Sequence, residues 1–297
     1  MKAVVVKKFG SPEGLQVVEL DKPVPNEDEV QVRIHASSVT FGDAMMRRMK
    51  FPIGSIFRLA FRVGKENSVG HEFAGEIESV GPNVTKFKVG DKVFGSTGVK
   101  GGAYAEYICL REDAAMASMP SMLSFEEAAI VPVGGNTALY ILRQGNIKKD
   151  QRVLIYGASG SVGTYAVQLA KYWGSEVTGV CSSTNFEMVQ SIGADKVIDY
   201  QKEDFTQSGE KYDLIFDAVR KISASDCKGN LKETGIFLSV GSSTKESVEN
   251  LEFLRELIEA GQLKPILDRT YPLDDIVKAH KYVDTGRKKG NVAVTVV

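Results

Sequence analysis

Between residues 152 and 174 the chain reads RVLIYGASGSVGTYAVQLAKYWG, and no other stretch limits its fold so tightly. An apolar run ends at Tyr156, glycines follow at 157, 160 and 163, and a helical pattern opens directly. This is a buried strand turning sharply into a helix. A small residue makes the turn, Gly160 lets the backbone approach a pyrophosphate, and Gly163 lets the helix pack closely on the strand. Ala158 stands where the G-x-G-x-x-G pattern has its first glycine, a departure that keeps the side chain small. Phosphates would sit on the N–H groups of the helix N-terminus. Ala158, Ser159, Gly160, Ser161, Val162 and Gly163 are therefore the candidate dinucleotide cradle, with a ligand-free glycine turn as the alternative. The helix is expected to bury a stripe of Val162, Ala166, Leu169, Ala170 and Trp173 and to stop at Gly174.

The surroundings of this loop read as repeated βαβ units. After SFEEAAIVPVGGNTALYILRQG, which reads as helical, strands are expected at 152–156, 176–180, 196–199, 212–217 and 235–240. Their near-continuous apolar character suits a parallel sheet covered on both faces. Before residue 120 the pattern differs: short β-branched runs such as EVQVRIHASSV alternate with turn signals such as GPN and GD, which predicts an antiparallel, barrel-like β domain. After the helix VENLEFLRELIEAG the tail gives a strand, a helix opened by Pro272 and Asp274, and a last β-branched strand. That strand is expected to return to the first domain. The boundaries so read are 1–120 completed by 263–297, and 121–262.

Composition excludes several function classes. A net charge of −1 over 297 residues, with no basic block, leaves no electrostatic footprint for nucleic acid or an anionic membrane. Cys109, Cys181 and Cys227 lie far apart and suit a reducing compartment better than disulfides or a zinc knuckle. The opening MKAVVVKKFG is too short an apolar run for a signal peptide or span, so a cytoplasmic protein is expected.

The end of the second parallel strand selects the nucleotide. An NAD site places an acid there to hold the ribose hydroxyls. This chain has Ser182 and Ser183 instead, which repel no 2′-phosphate and offer two hydroxyls, so NADP(H) is the expected cofactor, although no arginine or lysine adjoins them in sequence. Thr184 and Glu187 have capping-box spacing and are expected to start the next helix.

GHEFAGEIESVGPNVTKFKVGDKVFG, GGAYAEY, VPVGGNTAL, YGASGSVGTYAVQLAK, GADKVIDY and KKGNVAVTV together resemble the medium-chain dehydrogenase/reductase superfamily, in its zinc-independent quinone oxidoreductase branch, which includes zeta-crystallin. The resemblance implies an α/β chain: a GroES-like β-barrel domain, a doubly wound Rossmann domain, and a return to the first. Zinc members hold their metal through a cysteine, the histidine of G-H-E and a later cysteine; those positions here are Thr40, His71 and Val133. One donor of three does not make a catalytic zinc site, so no metal is expected and His71 reads as a hydrogen-bonded structural histidine near the cleft, with contact to the pocket as the alternative. The resemblance places the substrate pocket in SSVTFGDAMMRRMKFP, with Thr40, Asp43, Met45 and Phe51 as candidates, Met45 and Phe51 standing where tyrosines are usual. Plain packing is the alternative for Met45, Met46 and Phe51. It also places Thr137 near the nicotinamide, Tyr200 near the adenosine phosphate, and Gly241 and Asn291 along the cofactor. No catalytic residue is identified.

One departure stands out. Only SSTKESVE separates the strand GIFLSVG from the helix NLEFLRELIEAG, so roughly 30 residues, about one crossover unit, are missing relative to the family pattern. The lost strand is the edge at which family members dimerise, which puts a homodimer through that edge in doubt. The expected activity is NADPH-dependent hydride transfer to quinones or related conjugated carbonyls. The alternatives are a nucleotide-binding protein without turnover and a zinc-independent enoyl or alkenal reductase.

Overall fold

The computed structural model describes residues 1–49, 69–241 and 244–297. The chain divides into two compact units, one of Met1–Val133, Glu246–Glu256 and Leu267–Val297, the other of Gly134–Lys245 and Leu257–Ile266. Phe51 lies outside the described residues.

In the first unit β1 (Lys2–Val6) pairs antiparallel with β2 (Leu15–Glu19). Then come β3 (Glu29–Ser38), helix α1 (Phe41–Arg48), β4 (Glu72–Val80), β5 (Lys92–Ser96), β6 (Tyr107–Arg111), β7 (Met116–Ser118) and helix α2 (Phe125–Ala129). β3 is the hub. β4 pairs along one edge of it and β6 along the first half of the other, from Glu29 to Arg33. Alternate side chains of these strands, including Val30, Val32, Ile34, Phe73, Ile77 and Val93, close one core. Burying Phe73 or Ile77 contributes about 1.5–3 kcal/mol each.

Helix α3 (Pro132–Gln144) leads into the second unit. The stretch expected as one helix is thus two, because Pro132 has no N–H to continue α2 and instead opens the next helix. β8 (Arg152–Tyr156), α4 (Ser161–Tyr172), β9 (Glu176–Cys181), α5 (Phe186–Ser191), β10 (Lys196–Asp199), β11 (Tyr212–Asp217), α6 (Ala224–Cys227) and β12 (Leu231–Ser239) follow. All neighbours are parallel, in the order β10-β9-β8-β11-β12. Val153, Leu154 and Ile155 of β8 are fully buried, as a strand covered on both faces must be. The chain goes from β8 to β9 on one side and returns to β11 on the other, so the carboxyl end of β8 is the topological switch point. No strand among the described residues pairs with the outer edge of β12, consistent with a lost crossover unit.

Two local expectations are corrected. Helix α4 has no single apolar stripe: every residue from Gly163 to Ala170 is buried. Gln168 is locked to the backbone of Lys264, accepting its N–H at 2.7 Å and donating to its carbonyl at 3.0 Å, and Tyr165 packs against Gly134. Thr184 and Glu187 do not cap α5; the chain first makes a 3-10 turn over Ser183–Asn185, and Thr184 Oγ1 lies 3.0 Å from Ser182 Oγ.

The tail adds α7 (Val248–Glu259), β13 (Leu267–Pro272), α8 (Ile276–Asp284) and β14 (Asn291–Thr295). β14 pairs with β3 over Ala36–Ser38, filling the half of that edge that β6 leaves. Leu273, Ile276, Ala279, Val283, Val292 and Val294 share a second core with Val4, Val6 and Leu15. No helix among the described residues is long and apolar enough to cross a membrane.

Candidate functional site

A buried polar cluster lies at the junction of α1 and β4 in the first unit. Thr40 caps α1: its Oγ1 accepts the N–H of Asp43 at 3.0 Å, while its own N–H donates to Asp43 Oδ2 at 2.8 Å. The capping carboxylate therefore has one oxygen to spare, and Oδ1 lies 2.5 Å from His71 Nδ1. His71 reaches it because Gly70 has φ +93, and because a Cβ there would come within 2.7 Å of the Tyr104 backbone nitrogen. Asp43 is 3 % exposed, so it acts through His71 and Thr40 rather than on solvent.

Electrostatics make the pair an ionic one. Burial pushes the His71 pKa down, but the Asp43 charge and hydrogen bond outweigh it, with help from Glu246 and Glu72, and hold it above the usual value. Burial pushes Asp43 up, and the His71 charge and hydrogen bonds from His71 and Thr40 bring it below the usual carboxylate range. His71 keeps 13 % side-chain exposure, and Nε2 is not among the sealed, unpaired atoms of the described residues. Next along the strand, Glu72 accepts the Val133 N–H at 2.6 Å and the Ser38 hydroxyl. Burial pushes its carboxyl up to about 7, against those two hydrogen bonds.

This donor set does not fit catalytic zinc. The Thr40 hydroxyl is spent on the cap and Val133 offers only an apolar side chain, which leaves His71 as one donor of the three that a catalytic zinc needs. Among the described residues no group of three or more His, Cys, Asp or Glu could hold a metal ion.

Sequence reasoning missed the far wall of this cluster. Arg47, 1 % exposed, ion-pairs with Asp284 at 2.6 Å and donates to His280 Nδ1 at 3.4 Å. Only the helical spacing of Asp43 and Arg47 hinted that they share a face. Met45 is exposed, on the same helix.

The second unit carries the glycine turn expected to cradle a dinucleotide. Gly157 has φ +84, and a Cβ there would strike Val219 at 2.5 Å. A Cβ on Gly163 would stand 2.1 Å from the Gly157 carbonyl oxygen, so the helix can approach the turn only as glycine. Gly160, the N-cap, is different: its Cβ would meet nothing nearer than 3.4 Å, so glycine there keeps open the space ahead of the helix end. Open space at a helix N-terminus is where a pyrophosphate would sit. Asn185 Nδ2 donates to Ser159 Oγ at 3.1 Å and ties the end of β9 to the loop. Sequence reasoning did not single out Asn185, and only its place after Ser182 and Ser183 pointed to it.

The other sequence-derived positions distribute around these sites. Ser182 is partly exposed and Ser183 exposed just beyond β9. Tyr200 follows β10 and lines a cavity of about 400 Å³ with Tyr156, Phe205, Thr206, Ile222 and Asp226. Thr137 is half-buried on α3, Gly241 is exposed beyond β12 with its N–H on Ser239 Oγ at 3.3 Å, and Asn291 is buried at the start of β14.

Comparison with known proteins places this architecture. Residues 26–121 match the family model of the alcohol dehydrogenase GroES-like domain, and residues 161–261 and 242–294 match two models described as zinc-binding dehydrogenase. The chain is 31% identical over 319 residues to a chloroplast envelope quinone oxidoreductase homolog of Arabidopsis thaliana, covering 96% of this chain and 95% of that one. It is 31% identical over 321 residues to 2-methylene-furan-3-one reductase of Solanum lycopersicum, covering 99% of this chain and 79% of the relative. The solved Escherichia coli quinone oxidoreductase complexed with NADPH superposes with a TM-score of 0.85 at 25% identity, covering 100% of both chains. The chain belongs to the medium-chain dehydrogenase/reductase superfamily, in its quinone oxidoreductase branch.

Proposed function

We propose that this chain is an NADPH-dependent reductase of quinones and related conjugated carbonyls that works without zinc. The observation that carries the reading is the glycine turn at the switch point: Gly157 and Gly163 are forced by close packing, whereas Gly160 leaves space ahead of the helix N-terminus that a pyrophosphate can occupy. At the end of β9 Ser182 and Ser183 stand in place of the acid of an NAD site, with the carboxylate of Asp199 on β10 hydrogen-bonded to Ser183. The serine pair supports NADPH over NADH, as do a relative named NADPH-dependent alkenal/one oxidoreductase and the solved quinone oxidoreductase complexed with NADPH. Small electrophiles as partners and a cytoplasmic setting belong to the same reading, without nucleic-acid or membrane binding. So does an assignment of 1–120 with 263–297 to substrate and 121–262 to cofactor.

Ala158 to Gly163 would hold the pyrophosphate, with Ser182, Ser183 and Tyr200 around the adenosine and Thr137, Gly241 and Asn291 further along. Bound NADPH would supply the hydride. The chain's own task is to orient the acceptor and to meet the negative charge that develops on its oxygen. His71 suits that task. Asp43 fixes the ring through Nδ1, so Nε2–H is the group left to donate to a carbonyl oxygen. Thr40 and Asp43 act as positioning residues, and Met45 and Phe51 as apolar lining.

The test is fluorescence titration with NADPH and NADH, followed by a panel of quinones and enones. NADPH-preferring binding with turnover supports the reading. Binding without oxidation by any acceptor would leave a nucleotide-binding protein without turnover.

A further inference from the structure

We propose that Arg220 is a cofactor-binding residue that clamps the pyrophosphate of the bound dinucleotide from the side opposite the glycine turn. The inference rests on the cofactor reading above and adds a residue that neither the glycine motif nor the serine pair supplies.

Three observations carry it. First, Arg220 has φ +58, and the other non-glycine residues with positive φ among those described are Asn146 and Asp150, types that tolerate the left-handed region. A long side chain held there marks a position fixed by its surroundings. Those surroundings are explicit: the Asp217 carboxylate accepts the N–H groups of Val219, Lys221 and Ile222, on both sides of Arg220, at 3.0, 2.9 and 3.2 Å.

Second, the loop stands at the mouth of the cradle. Val219 is the side chain that would strike a Cβ on Gly157, so the residue before Arg220 covers the turn itself. The guanidinium lies on the other side, its Nε 3.6 Å from where a Cβ on Gly241 would stand, just beyond the carboxyl end of β12. Third, the charge has no counter-ion among the described residues. Arg220 makes no ion pair or hydrogen bond among the described residues, whereas arginines elsewhere in the chain such as Arg152 and Arg255 are paired. An exposed, pre-positioned fork without a carboxylate is the donor geometry that a phosphate requires.

Sheet order decides which phosphate. Ser182 and Ser183 follow β9, on one side of β8, whereas Arg220 follows β11 and lies against β12, on the other. Strand spacing puts the ends of β9 and β12 roughly 14 Å apart. Arg220 therefore serves the pyrophosphate common to both dinucleotides, not the 2′-phosphate.

The experiment compares wild type with Arg220→Gly and Arg220→Lys, titrating each with NADPH and with NADH and recording Tm without cofactor. Arg220→Gly is expected to weaken both cofactors about tenfold while Tm holds or rises, since glycine relieves the left-handed backbone. Arg220→Lys should recover part of the affinity. Unchanged affinity for both dinucleotides, a loss confined to NADPH, or a fall in Tm without a binding loss would each overturn the assignment. Wild-type protein that binds neither dinucleotide would overturn the cofactor reading and this assignment with it, an outcome visible before any variant is made.

Discussion

Glu72→Gln isolates the cost of a buried charge beside His71. Glu72 is 2 % exposed, and burial lifts its carboxyl from 4.5 to about 7. A group whose folded value is raised contributes stability that is fully present below its unfolded value and is lost as pH rises through the folded one. The wild type should therefore lose stability across the window from about 4.5 to about 7 on this account. At about 1.36 kcal/mol per pH unit, the loss between pH 5 and pH 8.5 amounts to about 2.5 kcal/mol. Glutamine keeps an oxygen for the Val133 N–H and can donate to Ser38 Oγ, but it carries no charge at any pH. The rearranged hydrogen bonds cost about 1 kcal/mol, a constant offset that cancels when the two pH dependences are subtracted. Urea unfolding at a series of pH values, followed by far-UV circular dichroism, measures that difference. The variant should gain about 2.5 kcal/mol on wild type between pH 5 and pH 8.5. Parallel curves would refute the claim that Glu72 is a high-pKa buried carboxyl.

His71→Gln should leave NADPH titration unchanged but slow turnover of an enone roughly 100-fold, the usual loss for one oxyanion donor. Because the protonated ring is the active form, the wild-type rate should fall as pH rises through the raised His71 value, and the variant should lack that limb. The facing charges are Asp43, Glu72 and Glu246. Gly160→Ala should fold normally and lose about tenfold in NADPH affinity, whereas Gly163→Ala should lower Tm because its Cβ meets backbone at 2.1 Å; equal behaviour of the two in both assays would contradict the cradle. Ser183→Asp should weaken NADPH at least tenfold and spare NADH, by like-charge repulsion of the 2′-phosphate in the paired titrations. Arg47→Ala should cost about 3 kcal/mol in urea unfolding, since it empties one of the largest fully buried side-chain positions, while half-buried Asp284 keeps Arg48 as its partner.

The parallel strands could be read from sequence because strands buried on both faces are continuous apolar runs, and β8, β9, β10 and β11 fall where those runs do. The helix between them misled for the same physical reason: α4 is covered by α3 and by the backbone at Lys264, so the expected stripe dissolves into all-round burial. Capping-box spacing was only as good as its context. It forms at Thr40–Asp43, Ser124–Glu127 and Ser223–Asp226, and fails at Thr184–Glu187, where the chain turns through a 3-10 segment first. The dyad of Asp43 and His71 spans 28 positions and the Arg47–Asp284 pair spans 237, separations to which no local periodicity speaks. Arg220 was invisible for another reason: a left-handed backbone leaves no signature when the residue adopting it is not glycine.

The seating of β14 on β3 has a consequence for how the molecule is made. Half of an early strand's edge waits for residues 293–295, and the core around Val4 and Leu15 waits for Leu273 to Val294. Gly134–Lys245, by contrast, draws its five strands from one uninterrupted stretch of chain. During synthesis the middle of the polypeptide therefore has its strand partners to hand well before the beginning does, and the opening 130 residues emerge first yet close late. In that interval the bare rim of β3 between Ala36 and Ser38 is an open template for another chain, which makes the later strand β14 the one that protects the earlier unit from aggregation.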